Sequence, residues 1–302
     1  MTDKNTGKNT GKNTGEELLF LPLGGAGEIG MNLNLYGYGR PGNVKWMMID
    51  LGITFGDGTH PGVDVIMPDP AYIEHHKEDL AGIVLTHAHE DHLGAVPYLW
   101  ERFGCPIYAT PFTVSIIQRK LAEVGLLDIV PIVEVPLNSS FEVGPFQLDL
   151  ITLTHSIPEP NGIAIRTPLG TVLHTGDWKL DPDPVIGEPS DMAALRRLGD
   201  EGVLAIVCDS TNVFTPGTSG SEGDIYESMK TLVEGCKGRV VVTCFASNVA
   251  RLDTLSRVAQ AVGREVILAG RSFWRMIDAA KENGYLQDAP NYLDEDMCGH
   301  LP

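Results

Sequence analysis

The chain of 302 residues is 43% hydrophobic and 21% charged, with a formal net charge of −18, which suits a globular protein of one to three domains with enough apolar material for a core. No apolar run reaches the ~18 residues of a membrane span, and the polar start lacks the apolar centre of a signal peptide. The five cysteines (Cys105, Cys208, Cys236, Cys244, Cys298) are scattered and form no CxxC pair, which argues against a disulfide scaffold or a cysteine zinc site and makes a reducing cytoplasm the natural compartment. The net charge taken alone argues against nonspecific binding to a polyanion, yet from Lys237 to Lys281 eight basic residues face three acidic ones.

In chain order, "MTDKNTGKNTGKNTG" repeats "KNTG" three times and reads as a disordered tail over residues 1–15. "LLFLPLGG", "NLNLYGY", "WMMIDLG" and "GIVLTH" read as strands, rich in apolar residues and punctuated by glycine. "DHLGAVPYLWERFG" has helical spacing at Leu93, Val96, Leu99, Trp100 and Phe103, and "PIYAT" leads into a helix from Pro111 to Gly125. "FQLDLITLTH" is a strand, and "NGIAIRTP" with "GTVLHTGD" makes a hairpin about Leu169-Gly170.

Near Gly199 the texture changes. The strand "GVLAIVCDS" precedes an amphipathic helix, "SEGDIYESMKTLVEGCKG". Then come "RVVVTCF" (strand), "SNVARLDTLSRVAQAVG" (helix), "REVILAG" (strand) and "SFWRMIDAAKENG" (helix). Such alternation implies right-handed crossovers and a parallel sheet. A boundary near 190–202 divides the chain into domains 16–198 and 199–302. The closing "YLQDAPNYLDEDMCGHLP" has no clear period.

The window "HAHEDH" packs three histidines, a glutamate and an aspartate into six residues, directly after an apolar strand. His87 and His89 alternate on an extended segment and point to one side. Asp91 and His92 open the next helix and point to a second place a few ångströms away. That arrangement suits two divalent ions, which can clamp a water and both oxygens of a displacement. His155 and Asp177 each end a further strand, and Asp177 can bridge two ions through its two oxygens. Asp50, at the end of "MMID", is either a turn residue or a carboxylate that orients a ligand histidine. His60, His75, His76, His174 and His300 lack such a context.

"LGGAGEIGMN", "THAHEDH", "THSIPEP" and "HTGDWK" resemble the metallo-β-lactamase fold, in the nuclease branch that carries a β-CASP domain. The blocks "FGDGTHPGVDVIMPDPAYI", "GIVLTHAHEDHLGAVPYL", "EGVLAIVCDSTN" and "GRVVVTCFASNVARL" are most similar to the bacterial ribonuclease J family, over roughly residues 18–302. The resemblance implies an α/β protein: a metallo-β-lactamase αββα sandwich, here incomplete, followed by part of a β-CASP parallel α/β domain. It implies two zinc ions, with Mn2+ or Mg2+ as alternatives, one on His87, His89, His155 and Asp177 and the other on Asp91, His92 and Asp177.

Asp209, in "CDSTN", matches the acidic motif that opens the β-CASP domain; read from the residues it is either a site carboxylate at a strand end or a turn cap. Asp91 or Asp209 then serves as proton shuttle. In the second domain Ser247, Asn248, Arg251, Arg271 and Ser272 lie at or near two helix starts, where they either hold RNA phosphates or merely cap, with Phe245 or Trp274 placed to stack a base. The implied activity is 5′-to-3′ exonucleolytic and endonucleolytic cleavage of single-stranded RNA with a 5′-monophosphate end, in RNA maturation and decay, by a homodimer. Family members continue past residue 302 and add a further histidine ligand, so a fragment or truncated product with impaired activity is expected. A small-molecule metallo-hydrolase of the same fold and a noncatalytic RNA-binding fragment are the rival functions.

Overall fold

The computed structural model describes residues 15–301, so residues 1–14 of the low-complexity tail lie outside the described residues. Its first sheet has six strands: β1 (Glu17–Gly24), β2 (Leu33–Arg40), β3 (Asn43–Ile49), β6 (Leu80–Val84), β7 (Ile107–Ala109) and β8 (Ile132–Glu134), adjacent in that order. A small ribbon of β4 (Thr54–Phe55) and β5 (Val65–Ile66) sits in the link between β3 and β6. β1, β2 and β3 pair antiparallel, whereas β3, β6, β7 and β8 run parallel. The parallel strands therefore deliver their carboxyl ends to one rim.

The second sheet has five strands, in the order β13 (Ala205–Val207), β12 (Gly170–His174), β11 (Asn161–Thr167), β10 (Phe146–Thr152) and β9 (Ser140–Val143). The sheets meet through Tyr36, Met47 and Ile49 on one side and Phe146, Leu148 and Ile163 on the other, all fully buried. Strands covered on both faces must be apolar along their whole length, which is why "WMMI" and "GIVL" show no alternation.

Helices cover both outer faces. The first sheet carries α1 (Ala71–His75), α2 (Glu90–Leu93), α3 (Val96–Leu99) and α4 (Pro111–Glu123) on its side of the sandwich, and Phe112, Ile116 and Ile117 of α4 belong to the core there. Pro111 opens α4 as expected, where a missing N–H costs nothing. α5 (Met192–Glu201), capped by Asp191 accepting from the Ala194 amide at 2.8 Å, packs Leu198 against Ile151 and Ala164 of the second sheet.

Beyond α5 come α6 (Tyr226–Glu234), α7 (Val249–Ala261), β14 (Val266–Leu268), α8 (Arg271–Glu282) and β15 (Tyr292–Asp294). Val249, Leu252, Met276 and Ile277 of this region join the same core cluster as α4. Three expectations need correction here. The apolar run 202–210 yields β13, which pairs parallel with β12 and so belongs to the second sheet, beyond the 198/199 boundary. An apolar strand takes whatever open edge it can reach, and the free edge of β12 is the one it finds. "RVVVTCF" forms no strand: among the described residues nothing pairs with it, and Val241 and Phe245 are each 83% exposed. Instead the aperiodic tail supplies β15, parallel to β14. The helix read across 91–104 is broken into α2, α3 and a last turn at Trp100–Arg102, with Gly94 at the first break and Pro97 in the first turn of α3.

Candidate metal centre

The rim where β3 and β6 end collects the candidate ligands. β3 stops at Ile49 and the chain turns at Asp50, whose φ of +63° is left-handed. β6 stops at Val84, and Leu85 and Thr86 lead to His87. His89 is the cap residue of α2, so Asp91 and His92 lie in its first turn. That turn is laced to the rim: the Leu51 amide donates to the His92 carbonyl at 2.7 Å, Ile53 to Glu90 at 3.0 Å and Asn32 to Asp91 at 3.0 Å. Gly52 permits the approach, since a Cβ there would lie 1.6 Å from the Asp91 carbonyl oxygen.

Two groups of donors result. In the first, one atom each from His87, His89, His155 and Asp177 lie within 4.8 Å of one another, and so do atoms of Asp91, His92 and Asp177 in the second. His87 Nε2 stands 3.0 Å and His155 Nε2 3.2 Å from His89 Nδ1. Asp177 faces both groups: Oδ2 is 3.6 Å from His155 Nε2, and Oδ1 is 3.2 Å from His92 Nε2, which also has Asp91 Oδ2 at 3.4 Å. Glu90, the remaining carboxylate of the window, turns away to Lys120 at 2.6 Å.

Hydrogen bonds behind the rings set which nitrogen is free. Asp50, wholly buried, accepts from the Thr86 amide at 2.8 Å, from the Thr86 hydroxyl at 2.9 Å and from His92 Nδ1 at 2.7 Å. With its proton given to Asp50, the Thr86 hydroxyl accepts from His87 Nδ1 at 3.0 Å. Both rings therefore turn Nε2 toward the cluster. His89 is the reverse case, with Nε2 near Ser156 Oγ at 3.5 Å and Nδ1 inward. Ring nitrogens with inward lone pairs repel one another at such distances unless a cation lies between them. Donors this close suit an ion ~2.0–2.2 Å from each, so the residues fit the implied metal pair.

Protonation follows the same division. Burial, then the neighbouring imidazoles, holds His87 well below the ordinary histidine range and takes His89 down to about 3. Burial also lowers His155, against the pull of Asp177. Neutral imidazole is the ligating form. Burial opposes charge on His92 as well, but Asp50 first, and then Asp177 and Asp91, raise it well above the usual value. Burial works against the Asp177 carboxylate, yet contact with His92 outweighs it and brings Asp177 to about 2; Asp91 is lowered for the same reason.

The other candidates are placed differently. Asp209 is half-buried and accepts from the Thr211 amide at 2.9 Å and hydroxyl at 2.7 Å, a local turn cap, while its charge still acts on His155. Asn248 caps α7, taking the Arg251 amide at 2.9 Å, and Ser247 precedes it without capping. The Arg251 guanidinium forms a two-point ion pair with Glu222, with Nη2 at 3.1 Å from Oε2. Arg271 and Ser272 are exposed in the first turn of α8, where Gly270, not Ser272, is the cap. Trp274 is half-buried against the core. Among the described residues, no hydrogen bond or ion pair joins these second-region candidates to the cluster. Sequence reading missed Thr86, although it opens "THAHEDH", and Asn32, whose Nδ2 reaches the Asp91 carbonyl at 3.0 Å and His92 Nε2 at 3.3 Å.

Known proteins resemble the chain in both halves. Residues 41–223 match the metallo-beta-lactamase superfamily, and residues 237–302 match the beta-CASP domain of ribonuclease J. Ribonuclease J of Sinorhizobium meliloti is 46% identical over 95% of this chain and 51% of its own length. Ribonuclease J of Corynebacterium glutamicum is 43% identical over 88% of this chain and 36% of its own length. The chain thus spans about half the length, or less, of the curated relatives it matches. A crystal structure of a protein of unknown function from Enterococcus faecalis V583 shares the fold, with a TM-score of 0.58 at 14% identity, over 92% of this chain and 77% of that one.

Proposed function

The chain belongs to the metallo-β-lactamase superfamily, and on that premise we propose that it acts in the metal-dependent hydrolysis of RNA phosphodiester bonds. The observation that carries this reading is Asp177, which turns one oxygen to each of two donor groups. A shared carboxylate is how a protein holds two ions ~3.5–4 Å apart for an in-line displacement. The match to a ribonuclease J β-CASP domain over residues 237–302, in the stretch with the local excess of basic residues, supports RNA over a small-molecule substrate.

His87, His89, His155 and Asp177 would hold one ion and Asp91, His92 and Asp177 the other, with zinc as the leading candidate and Mn2+ or Mg2+ as alternatives. Such ions supply an activated water and offset the charge that builds on phosphate oxygens. Asp50 keeps a proton on His92 Nδ1, and Thr86 keeps one on His87 Nδ1, so that both rings present Nε2. Asp91, partly open to solvent at 33% side-chain exposure, is the better placed proton carrier; Asp209 has Oδ1 held by the Thr211 amide and hydroxyl. We further propose a single-stranded substrate with a 5′-monophosphate end, exonucleolytic and endonucleolytic cleavage in RNA maturation and decay, a homodimeric whole protein and a cytoplasmic setting.

The test is metal content together with hydrolysis. The protein dialysed against zinc should retain about two equivalents, and Asp177→Ala should retain less than one and lose RNA cleavage by more than ~100-fold, beyond what loss of an outer partner costs. A chain that keeps no metal would overturn the reading.

A further inference from the structure

Glu159 has no part in the donor groups, yet it is closely held in the loop that carries His155. It is 6% exposed and has a left-handed φ of +59°. A side-chain-bearing residue keeps that conformation only where its surroundings over-determine it. The surroundings come from two distant places. The Phe112 amide, in the first turn of α4, donates to Oε2 at 2.9 Å. The Tyr285 hydroxyl, just past the end of α8, donates to Oε1 at 3.2 Å. Glu159 also presents its carbonyl to Asn161 Nδ2 at 2.6 Å. Burial pushes the carboxyl pKa up, and these donors act against that.

The loop is packed as well as tethered: Ile157 is 2% exposed in the core cluster that also holds Phe112 and Ile277, and the Leu153 amide donates to the Pro160 carbonyl at 3.0 Å. A cavity of about 220 Å³ lies along it, lined by Leu137, Asn138, His155, Ile157, Glu159 and Tyr285 among others. Side chains bordering a void have no packing partners on that side, and there Glu159 adds a polar tether to the packing of Ile157. Tyr285 is itself fixed, because α8 is clamped to α4: Arg275 pairs with Glu123, Glu282 with Arg119 at 2.6 Å, and Asn283 Nδ2 donates to Ser115 at 2.8 Å. A continuous connection therefore runs from the region after Gly199 through Tyr285 and Glu159 to His155.

We infer that Glu159 is a positioning residue through which the second region, by way of the Tyr285 hydroxyl, sets the place of His155 in the first donor group. The inference rests on the metal reading above and extends it: the metal centre is completed in the presence of the second region and not by the sandwich alone.

The test titrates the full chain with Zn2+ and with Co2+, whose visible absorption reports the ligand set. Tyr285→Phe removes only the hydroxyl. Partners bonded directly to a metal ligand are worth ~10–100-fold in affinity; acting through a loop, this one should weaken the first donor group by roughly three- to tenfold and shift the cobalt spectrum. Arg166→Gln cuts ion pairs with Asp149 and Glu201, away from α8 and Glu159; it should lower the unfolding temperature and leave the metal isotherm where it was. Glu159→Gln, if it folds, should behave as Tyr285→Phe does, and the latter suffices if it does not.

In metal-free protein the His155 ring signals should move in Tyr285→Phe and not in Arg166→Gln. An unchanged isotherm in Tyr285→Phe, with a parent that binds metal, overturns the inference and spares the metal reading. A parent that binds neither ion sinks the metal reading, and the His155 ring signals then decide whether the link itself exists.

Discussion

Around the rim, Asp50, Thr86, His87 and His92 hold one another at 2.7–3.0 Å beneath a closed surface, with both sheets packed behind them. After Gly199 the chain keeps apolar side chains in the open: Leu204, just before β13, and Ile206 on it are each 60% exposed, and Val241 more so. The difference lies in how much surface each strand covers. A strand such as β3 has neighbours on both edges and both faces, whereas β13 has a single partner at the end of its sheet. Interlocked neighbours can aim a ligand atom; a partly covered surface can present arginines but not aim them. The donor set is accordingly gathered, while Ser247, Asn248, Arg251, Arg271 and Ser272 are spread over a cap, an ion pair and an open helix turn.

The contrast breaks first at Gly52. Gly52→Ala forces a methyl group into the Asp91 carbonyl and should cost ~3 kcal/mol or more and release metal from the second group, whereas Val241→Ser should stay within ~0.5 kcal/mol; denaturant melts of both decide it. Equal costs would remove the distinction between the regions.

His174 is the next largest. It is buried, its Nδ1 lies 3.0 Å from the Tyr36 hydroxyl, and burial takes its pKa to about 4. The unfolded chain, with an ordinary histidine near 6.5, binds the proton that the folded one refuses. The His174 contribution to stability should therefore be whole above pH 6.5 and be lost as pH drops toward 4, about 3 kcal/mol of it. His174→Gln should flatten that part of the curve, measured as unfolding free energy from pH 4 to 8.

Asp50→Asn sharpens the comparison from within the rim. It should weaken metal binding by ~10–100-fold, chiefly in the second group. Thr86→Val should weaken the first group, with Thr86→Ser restoring it; calorimetric zinc titrations read both. The smallest effect belongs to the open surface. Arg271→Ala should reduce single-stranded RNA affinity a few-fold and lower the salt slope by about one, with metal binding untouched. Arg251→Ala, already paired with Glu222, should do less to RNA and more to folding.

Much of this was legible beforehand because it is local. His87, His89, Asp91 and His92 sit on one strand end and one helix turn, so their spacing shows their convergence. His155 and Asp177 could be read as strand ends, and the α4, α7 and α8 helices from their periodicity and stops. Reading failed where the partner lies far along the chain: "RVVVTCF" has the composition of a strand but finds no neighbour, while the unpatterned "NYLD" finds β14. Composition reports willingness to pair, and pairing needs an available edge.

Residue type and spacing alone determined that ligand-type side chains gather directly after apolar strands, because ligand chemistry and buried-strand patterning are written over a few neighbouring positions; the two-sheet scaffold followed from the family resemblance. Tertiary packing decided that Asp177 divides its oxygens between two groups, that Asp50 and Thr86, 36 positions apart, choose the histidine tautomers, and that Tyr285 reaches Glu159 across 126 positions. Contacts of that range depend on which helix face meets which loop, a geometry that no local pattern encodes.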